Sequence, residues 1–285
     1  MTMRKLMVQG VTSGAGKTTL TAALCRHFFM KGMDVVPFKA QNVSLNSFVT
    51  DDGGEIAISQ AYQAWASGIE PTRNMNPVLI KPKGSGQCQI VLDGRPWKDI
   101  GRGGTNQEMI EEIRSHILRS FDDLCLGRDM VVIEGMGSPV EMNLKDRDVS
   151  NMWLAKAVRS PVVLVGDIEK GGVFAGIYGT YLLMDEEERD LLKGFVINRF
   201  RGDASILGAG IEELESRMEM PCLGVLPYVR FSSPQEDSMD LRQISGGVRG
   251  EGDVRQRWIK ELDGLLEKWE GTWDLSKVEG LVDRV

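Results

Sequence analysis

The stretch KLMVQGVTSGAGKTTLTAALC, Lys5 to Cys25, decides the fold. Its first six residues read as a buried strand, its middle is a glycine-rich turn, and from about Lys17 to Lys31 the spacing predicts a helix. Gly14, Ala15 and Gly16 offer little side chain, so backbone N–H groups can converge on an anion there. Lys17 can bridge the β- and γ-phosphates of a nucleotide, and the Thr18 hydroxyl can ligate Mg²⁺. The helix that follows points its positive end at the same place. The common pattern is G-x-x-x-x-G-K-[ST], whereas here five residues separate Gly10 from Gly16, so this is a variant of the phosphate loop. The candidate nucleotide contacts are Thr12, Ser13, Gly14, Ala15, Gly16, Lys17, Thr18 and Thr19.

The chain continues as apolar runs alternating with helical patterns. DVVPFK reads as the next strand, EIAISQAYQAWASG has helical spacing, and QIVLDGRPW reads as a hairpin turning at Asp93-Gly94. A helix near residues 106–126 leads to the apolar strand DMVVIEG. PVVLVGD, a helix after Gly172, KGFVINRF, a helix around 204–217 and CLGVLPY follow. Buried strands alternating with helices predict an α/β fold, P-loop NTPase-like, with a mostly parallel sheet covered by helices on both faces. Past Pro227 the chain turns polar and glycine-rich. The expected organisation is a nucleotide-binding domain over 1–230, a linker over 231–253 and a C-terminal helical segment over 254–285. In that segment Trp258, Leu262, Leu265 and Leu266 share one face and dock on the core.

The bulk numbers narrow the class. The chain has 285 residues, and its formal charge of −7 is opposite to that of a general nucleic-acid binder. No apolar run reaches the roughly 18 residues a membrane helix needs, and the N-terminus lacks a secretory signal pattern, so neither a membrane nor export is expected. Cys25, Cys88, Cys125 and Cys222 are scattered without paired spacing, as in a cytoplasmic protein with reduced thiols.

In an open α/β sheet, ligands gather beyond the carboxyl ends of the strands. VVIEGMGSP ends a strand at Glu134, whose carboxylate can hold Mg²⁺. VGDIEKGGVFAG ends another at Asp167, with Gly171-Gly172 at a helix start. VINRFRGD ends a third at Asn198, followed by Arg199; an Asn amide suits the edge of adenine. PFKAQNVSLNSFVTDDGGEI adds Lys39 just past the second strand. It also adds Asp52 and Glu55, which read either as metal ligands or as helix caps, Glu55 beginning the helix. Each of these residues alone can equally be a turn or capping residue; the case for a site is their gathering at strand ends.

Taken together, VQGVTSGAGKTTL, PFKAQNVSLNSFVTDDGGEI, MNPVLIKPKG, VVIEGMGSP, VEMNLKDRDVSNM, VVLVGDIEKGGVFAGIYGTYLL, GFVINRFRGD and LGVLPY resemble the cobyric acid synthase family, the CobQ/CbiP amidases, over residues 6 to about 240. The loop spacing resembles the dethiobiotin synthetase and MinD-like branch, but Thr12 stands where the MinD type has an extra Lys. The resemblance implies an ATP- and Mg²⁺-dependent ligase that amidates corrinoid side-chain carboxylates. It implies Lys17 and Lys39 as catalytic cations, Asp148 of KDRDVSNM as an orienting carboxylate, and Thr18, Asp52, Glu55 and Glu134 as the metal set. Asp148 reads equally well as the cap of the helix after Ser150. Substrate contacts would come from Gln41, Asn42, Ser44, Asn46 and Ser47, from Lys81, from Ser138, and from Asp167, Gly171 and Gly172.

Family members continue from a PEEDS-like phrase into a glutaminase; here PQEDSMDL leads into the polar stretch. None of the four cysteines sits in a glycine-flanked turn, and His27 and His116 lie in helical patterns. Glutaminase chemistry is therefore not expected in these residues. Ammonia would come from solution or from a separate glutaminase subunit, and a homodimer is a candidate assembly. Two other readings stay open: amidation of a different polycarboxylate, such as another tetrapyrrole or a cell-wall acid, and a regulatory P-loop ATPase.

Overall fold

The computed structural model describes residues 3–101, 104–234 and 251–282. In chain order the elements are β1 (Arg4–Gly10), α1 (Lys17–Met30), β2 (Val35–Phe38), β3 (Gln41–Val43), β4 (Ser47–Val49), β5 (Glu55–Ala57), α2 (Ile58–Ala66), β6 (Val78–Gly84), β7 (Gln87–Leu92), β8 (Arg95–Ile100), α3 (Gln107–Cys125), β9 (Met130–Glu134), α4 (Met152–Val158), β10 (Val162–Asp167), α5 (Val173–Leu183), α6 (Glu186–Leu191), β11 (Leu192–Phe200), α7 (Gly208–Met218), β12 (Cys222–Pro227), α8 (Glu251–Trp269) and α9 (Leu275–Val282). They form two compact units. One comprises the described parts of residues 1–21, 132–230 and 265–285; the other comprises those of 22–131 and 231–264.

The first unit holds the nucleotide-type sheet. Its strands run in the order β12-β11-β10-β1-β9, with β10 parallel to β1, β11 to β10 and β12 to β11. β9 and β10 are buried along their whole length, as parallel strands covered on both faces must be. Each buried Val, Leu or Ile there contributes about 1.5–3 kcal/mol by leaving water. β1 has β10 on one side and β9 on the other, so the order reverses around it. That places a crevice beyond its carboxyl end.

β12 ends this order, and the C-terminal segment covers its edge. Gly224 bridges Trp273 in antiparallel fashion, the Val225 N–H donates to the Thr272 carbonyl at 3.0 Å, and the Asp274 N–H donates to Leu223 at 2.7 Å. Covering an edge removes a row of open backbone groups. Asp274 then starts α9: its carboxylate accepts from the Ser276 hydroxyl at 2.6 Å and the Lys277 N–H at 3.0 Å. Those bonds, Ser276 first, hold its pKa down at about 2. A carboxyl whose folded pKa is lowered contributes stability above its ordinary pKa and loses it as pH falls through the folded value. Asp274→Ala should therefore melt below the parent protein at pH 7, with the gap shrinking between pH 4 and pH 2. A gap in thermal melts that does not change with pH would contradict this.

The second unit contains a four-stranded sheet, β3-β6-β7-β8, and the hairpin β4-β5. β3 runs parallel to β6, while β6/β7 and β7/β8 are antiparallel. The β7-β8 turn is the expected one: Asp93 and Gly94 both have positive φ, at 48° and 77°, as a two-residue hairpin turn requires. A side chain on Gly94 would lie 2.7 Å from the Gly54 backbone. The turn is also tied to α3, where His116 Nδ1 lies 2.6 Å from the Asp93 carboxylate and the Ser120 hydroxyl donates to it at 3.3 Å.

The sequence reading needs correcting in several places. The helix expected from Glu55 begins only at Ile58; Glu55 is a strand residue, paired with Val49 across the β4-β5 hairpin. The hairpin wins locally because Thr50 closes it, its N–H donating to the Gly54 carbonyl at 2.8 Å and its hydroxyl oxygen accepting the Gly54 N–H at 3.0 Å. Asp52 and Glu55 are thus not helix caps. The helix expected around 204–217 is a single 3₁₀ turn, Ala204–Leu207, followed by α7. α8 begins inside the stretch read as linker, and residues 235–250 of that stretch lie outside the described residues. Of the residues expected on the helical face, Leu262 and Leu265 are buried, Leu266 is half-buried, and Trp258 stacks on Trp65 at 6.1 Å between ring centroids. Arg26 holds Asp263 through two bonds, of 2.7 and 2.9 Å. No helix among the described residues is long and apolar enough to cross a membrane.

Candidate functional site

Two groups of candidate residues emerge, one in each unit. The first surrounds the loop after β1. Gly14 and Gly16 take φ values of 73° and 102°, a conformation that L side chains rarely adopt. At Gly16 a Cβ would also fall 2.1 Å from the Asn198 side-chain nitrogen. That close approach comes from hydrogen bonding: Asn198 Nδ2 donates to the Ala15 carbonyl at 2.9 Å, and its Oδ1 accepts the Arg199 N–H at 2.9 Å. Asn198 braces the loop, and both ends of its amide are engaged. Lys17 is buried. Its ammonium reaches the Gly137 carbonyl at 2.9 Å and the Thr12 carbonyl at 3.2 Å, which keeps the charge beside the loop. Gly10 makes room for it, since a Cβ there would sit 3.1 Å from Lys17 Nζ.

Thr18, at the start of α1, donates its hydroxyl to Glu134 Oε1 at 2.8 Å. Glu134 ends β9 and is buried. Two adjacent oxygen donors suit Mg²⁺, which takes one or two protein oxygens and completes its shell with water and phosphate oxygens. No group of three or more His, Cys, Asp or Glu able to hold a metal occurs among the described residues.

The turn after β9 supplies two supports of this loop. The Gly137 carbonyl carries one of the Lys17 contacts. Asn151 holds the turn that presents it, donating to the Met136 carbonyl at 2.6 Å and accepting the Met136 N–H at 3.0 Å. Gly135 must lack a side chain, because a Cβ would lie 2.4 Å from Asn151 Oδ1. The only sequence signal was the glycine spacing in EGMG. Ser138 lies on the same turn, its carbonyl accepting from Asn151 at 3.3 Å. Asp148 has the capping geometry: its carboxylate accepts the N–H groups of Ser150, Asn151 and Trp153 at 2.8–2.9 Å, ahead of α4. Asp167, at the end of β10, is buried and paired with Arg199 at 2.8 Å. Gly171 and Gly172 follow with φ of 76° and 70°, opening α5.

The second group lies in the other unit. Lys39 is buried just past β2. Its backbone is fixed on both sides, the N–H donating to Met75 at 2.9 Å and the carbonyl accepting from Asn76 at 3.0 Å. Asn76, which sequence reading passed over, also donates to Val78 and accepts the Ala57 N–H. Gln41 and Asn42 are on β3, and the Asn42 amide donates to Ser59 at 3.1 Å and Gln60 at 3.0 Å. Ser44 and Asn46 bond to each other. Asp52 accepts from Thr50 at 2.5 Å and pairs with Arg73 at 3.2 Å; the Thr50 bond first, then the Gly54 N–H and Arg73, hold its pKa below the ordinary value. Glu55 pairs with Lys81 and accepts from Ser47 at 2.5 Å. Burial pushes its pKa up, but Lys81 and Ser47 outweigh it and the net shift is down. Both carboxylates are thus anionic and already hold a cation, Arg73 and Lys81 respectively.

Residues 6–240 match the family profile described as the CobQ/CobB/MinD/ParA nucleotide binding domain. The chain belongs to this family. Among curated relatives it is similar to the probable cobyric acid synthase of Archaeoglobus fulgidus, 48% identical over 85% of this chain and 52% of that protein. It is 50% identical to the probable cobyric acid synthase of Thermococcus kodakarensis over 83% of this chain and 49% of that one. It is 46% identical to the cobyric acid synthase of Nostoc sp. over 85% and 49%. The chain spans about half the length of these relatives. Among solved structures, the signal recognition particle receptor FtsY from Elizabethkingia anophelis with GDP aligns at a TM-score of 0.47 and 15% identity, over 81% of this chain and 58% of that one.

Proposed function

We propose that this domain uses ATP and Mg²⁺ to amidate side-chain carboxylates of a corrinoid, with ammonia taken from solution or from a separate glutaminase. The observation that carries the reading is the triad of Lys17, Thr18 and Glu134 around a phosphate loop at the switch point of the sheet. The relatives named cobyric acid synthase supply the substrate class.

A carboxylate is a poor acyl donor because it would have to expel oxide. In the proposed reaction a substrate carboxylate oxygen bonds to the γ-phosphorus and ADP departs. Ammonia then attacks the acyl carbon, phosphate leaves with the former carboxylate oxygen, and the new nitrogen loses a proton to solvent. Lys17 and the loop N–H groups bind and orient the phosphates and neutralise developing charge. Thr18 and Glu134 would hold Mg²⁺, which when bound supplies further neutralisation. Lys39 is assigned as a catalytic cation, Asp52 and Glu55 as further carboxylates of the metal set, and Gln41, Asn42, Ser44, Asn46, Ser47 and Lys81 as contacts to the acid substrate. Ser138, Asp167, Gly171 and Gly172 are assigned to it as well. Asp148 acts by positioning the turn before α4.

The test is product mass after incubation with ATP, Mg²⁺, ammonium and a cobyrinic acid diamide. Amide products with matching ADP release are expected with ammonium, and none with glutamine as the nitrogen source in a pure sample. ADP release that ignores both the corrinoid and ammonium would overturn the reading.

A further inference from the structure

A two-stranded hairpin is marginal in water unless something covers one of its faces. The β4-β5 hairpin is such a pair, and its side chains alternate from face to face. Ser47 and Glu55 share one face, where the Ser47 hydroxyl donates to Glu55 and Glu55 holds Lys81. Phe48 and Ile56, directly opposite each other, turn to the other face.

That second face is covered by aromatic rings. Phe48 meets Trp65 of α2 edge-on, with 5.3 Å between centroids, and Trp65 stacks in turn on Trp258 of α8. Trp258 also meets Tyr62 edge-on at 6.1 Å. Phe48, Trp65 and Trp258 all pack against the buried cluster of Ile56, Ile58 and Ala61. Arg255, Trp258 and Leu262 follow at helical spacing and share one face of α8. Two ion pairs fix that helix on either side of Trp258. Arg255 pairs with Glu70 at 2.5 Å, and Asp263 with Arg26 at 2.7 Å. α8 lies beyond residues 6–240, the stretch that matches the family profile.

We infer that α8 is a strap that holds the β4-β5 hairpin from behind, and that Trp258 is a positioning residue for the polar face of Ser47, Glu55 and Lys81. This rests on the reading above, which assigns that face to the acid substrate and its metal. Trp258 acts through Trp65 and Phe48. Without its ring the hairpin is seated in a smaller fraction of molecules, and apparent substrate affinity falls with that fraction. Saturating substrate draws the hairpin back, so the maximal rate is kept.

The test has two arms, both on the full chain. Hydrogen exchange followed by mass spectrometry should show residues 47–57 exchanging about tenfold faster in Trp258→Ala, the scale of one lost aromatic contact. β10 and β11 should exchange as in the parent. In steady state with ATP, Mg²⁺ and ammonium, the same variant should raise KM for a cobyrinic acid diamide about tenfold, the effect of displaced contacts, with kcat unchanged. Trp258→Phe, which keeps a ring to stack, should restore both. If Trp258→Ala does not fold, Asp263→Asn, which loosens the other anchor of α8, is read in the same way. Unchanged hairpin exchange, or exchange equally faster in β10 and β11, would overturn the strap. Faster hairpin exchange with KM unchanged would overturn the positioning role. A parent protein with no diamide-dependent turnover would remove the amidation reading and the positioning role with it, while the exchange arm alone would still decide the strap.

Discussion

Lys17→Ala is expected to lower ATP turnover by about a thousandfold, the scale on which a preorganised charge at a developing anion acts. The side chain is buried, yet its ammonium reaches two carbonyls of the glycine-rich turns, at Thr12 and Gly137. It is therefore held at the loop before any phosphate arrives, and a neutral methyl leaves nothing to take over the charge. Arg is not a substitute, since the space beside Gly10 is measured for a single ammonium. ADP release in the presence of corrinoid and ammonium is the readout, with circular dichroism to confirm an unchanged fold. Turnover near that of the parent would refute the role.

Gly224→Val is expected to destabilise the protein by about 4 kcal/mol, the upper range for a single substitution. A Cβ at Gly224 would lie 2.5 Å from Trp273 Cβ, 2.7 Å from its Cα and 2.8 Å from the Thr272 carbonyl oxygen. Two of those three atoms are backbone and cannot rotate away. The segment must back off β12, breaking the bonds from Val225 to Thr272 and from Asp274 to Leu223. It would also loosen Trp273 and Val278, which are buried. Urea unfolding should show the midpoint shift, with Gly224→Ala affected less. A midpoint unchanged in both variants would show that the edge covering carries no stability.

The parallel core was legible from KLMVQG, DMVVIEG, PVVLVGD and KGFVINRF, because a strand buried on both faces must be apolar at every position. The phosphate loop was legible because only glycine tolerates the φ values of 73° and 102° found at Gly14 and Gly16. EIAISQAYQAWASG misled. Its helical spacing is real from Ile58 onward, but Glu55 to Ala57 pair with Ser47 to Val49. Local pattern does not reveal a partner strand. Lys39, Asn42 and Glu134, singled out from the sequence for their residue types at strand ends, are all buried. Asn151 and Asn76 were not singled out, since an asparagine that braces a distant turn looks like any other in the sequence.

By itself, then, the sequence determined the α/β class, the position of the phosphate loop and the lysine and threonine that follow it, because these depend on burial and backbone freedom at single residues. Only the tertiary structure decided that Asn198 holds the loop, that Asp52 and Glu55 each hold a cation, and that Phe48, Trp65 and Trp258 meet behind the β4-β5 hairpin. Those roles depend on which elements lie side by side. That order follows from long-range packing, on which no local stretch of the chain carries information.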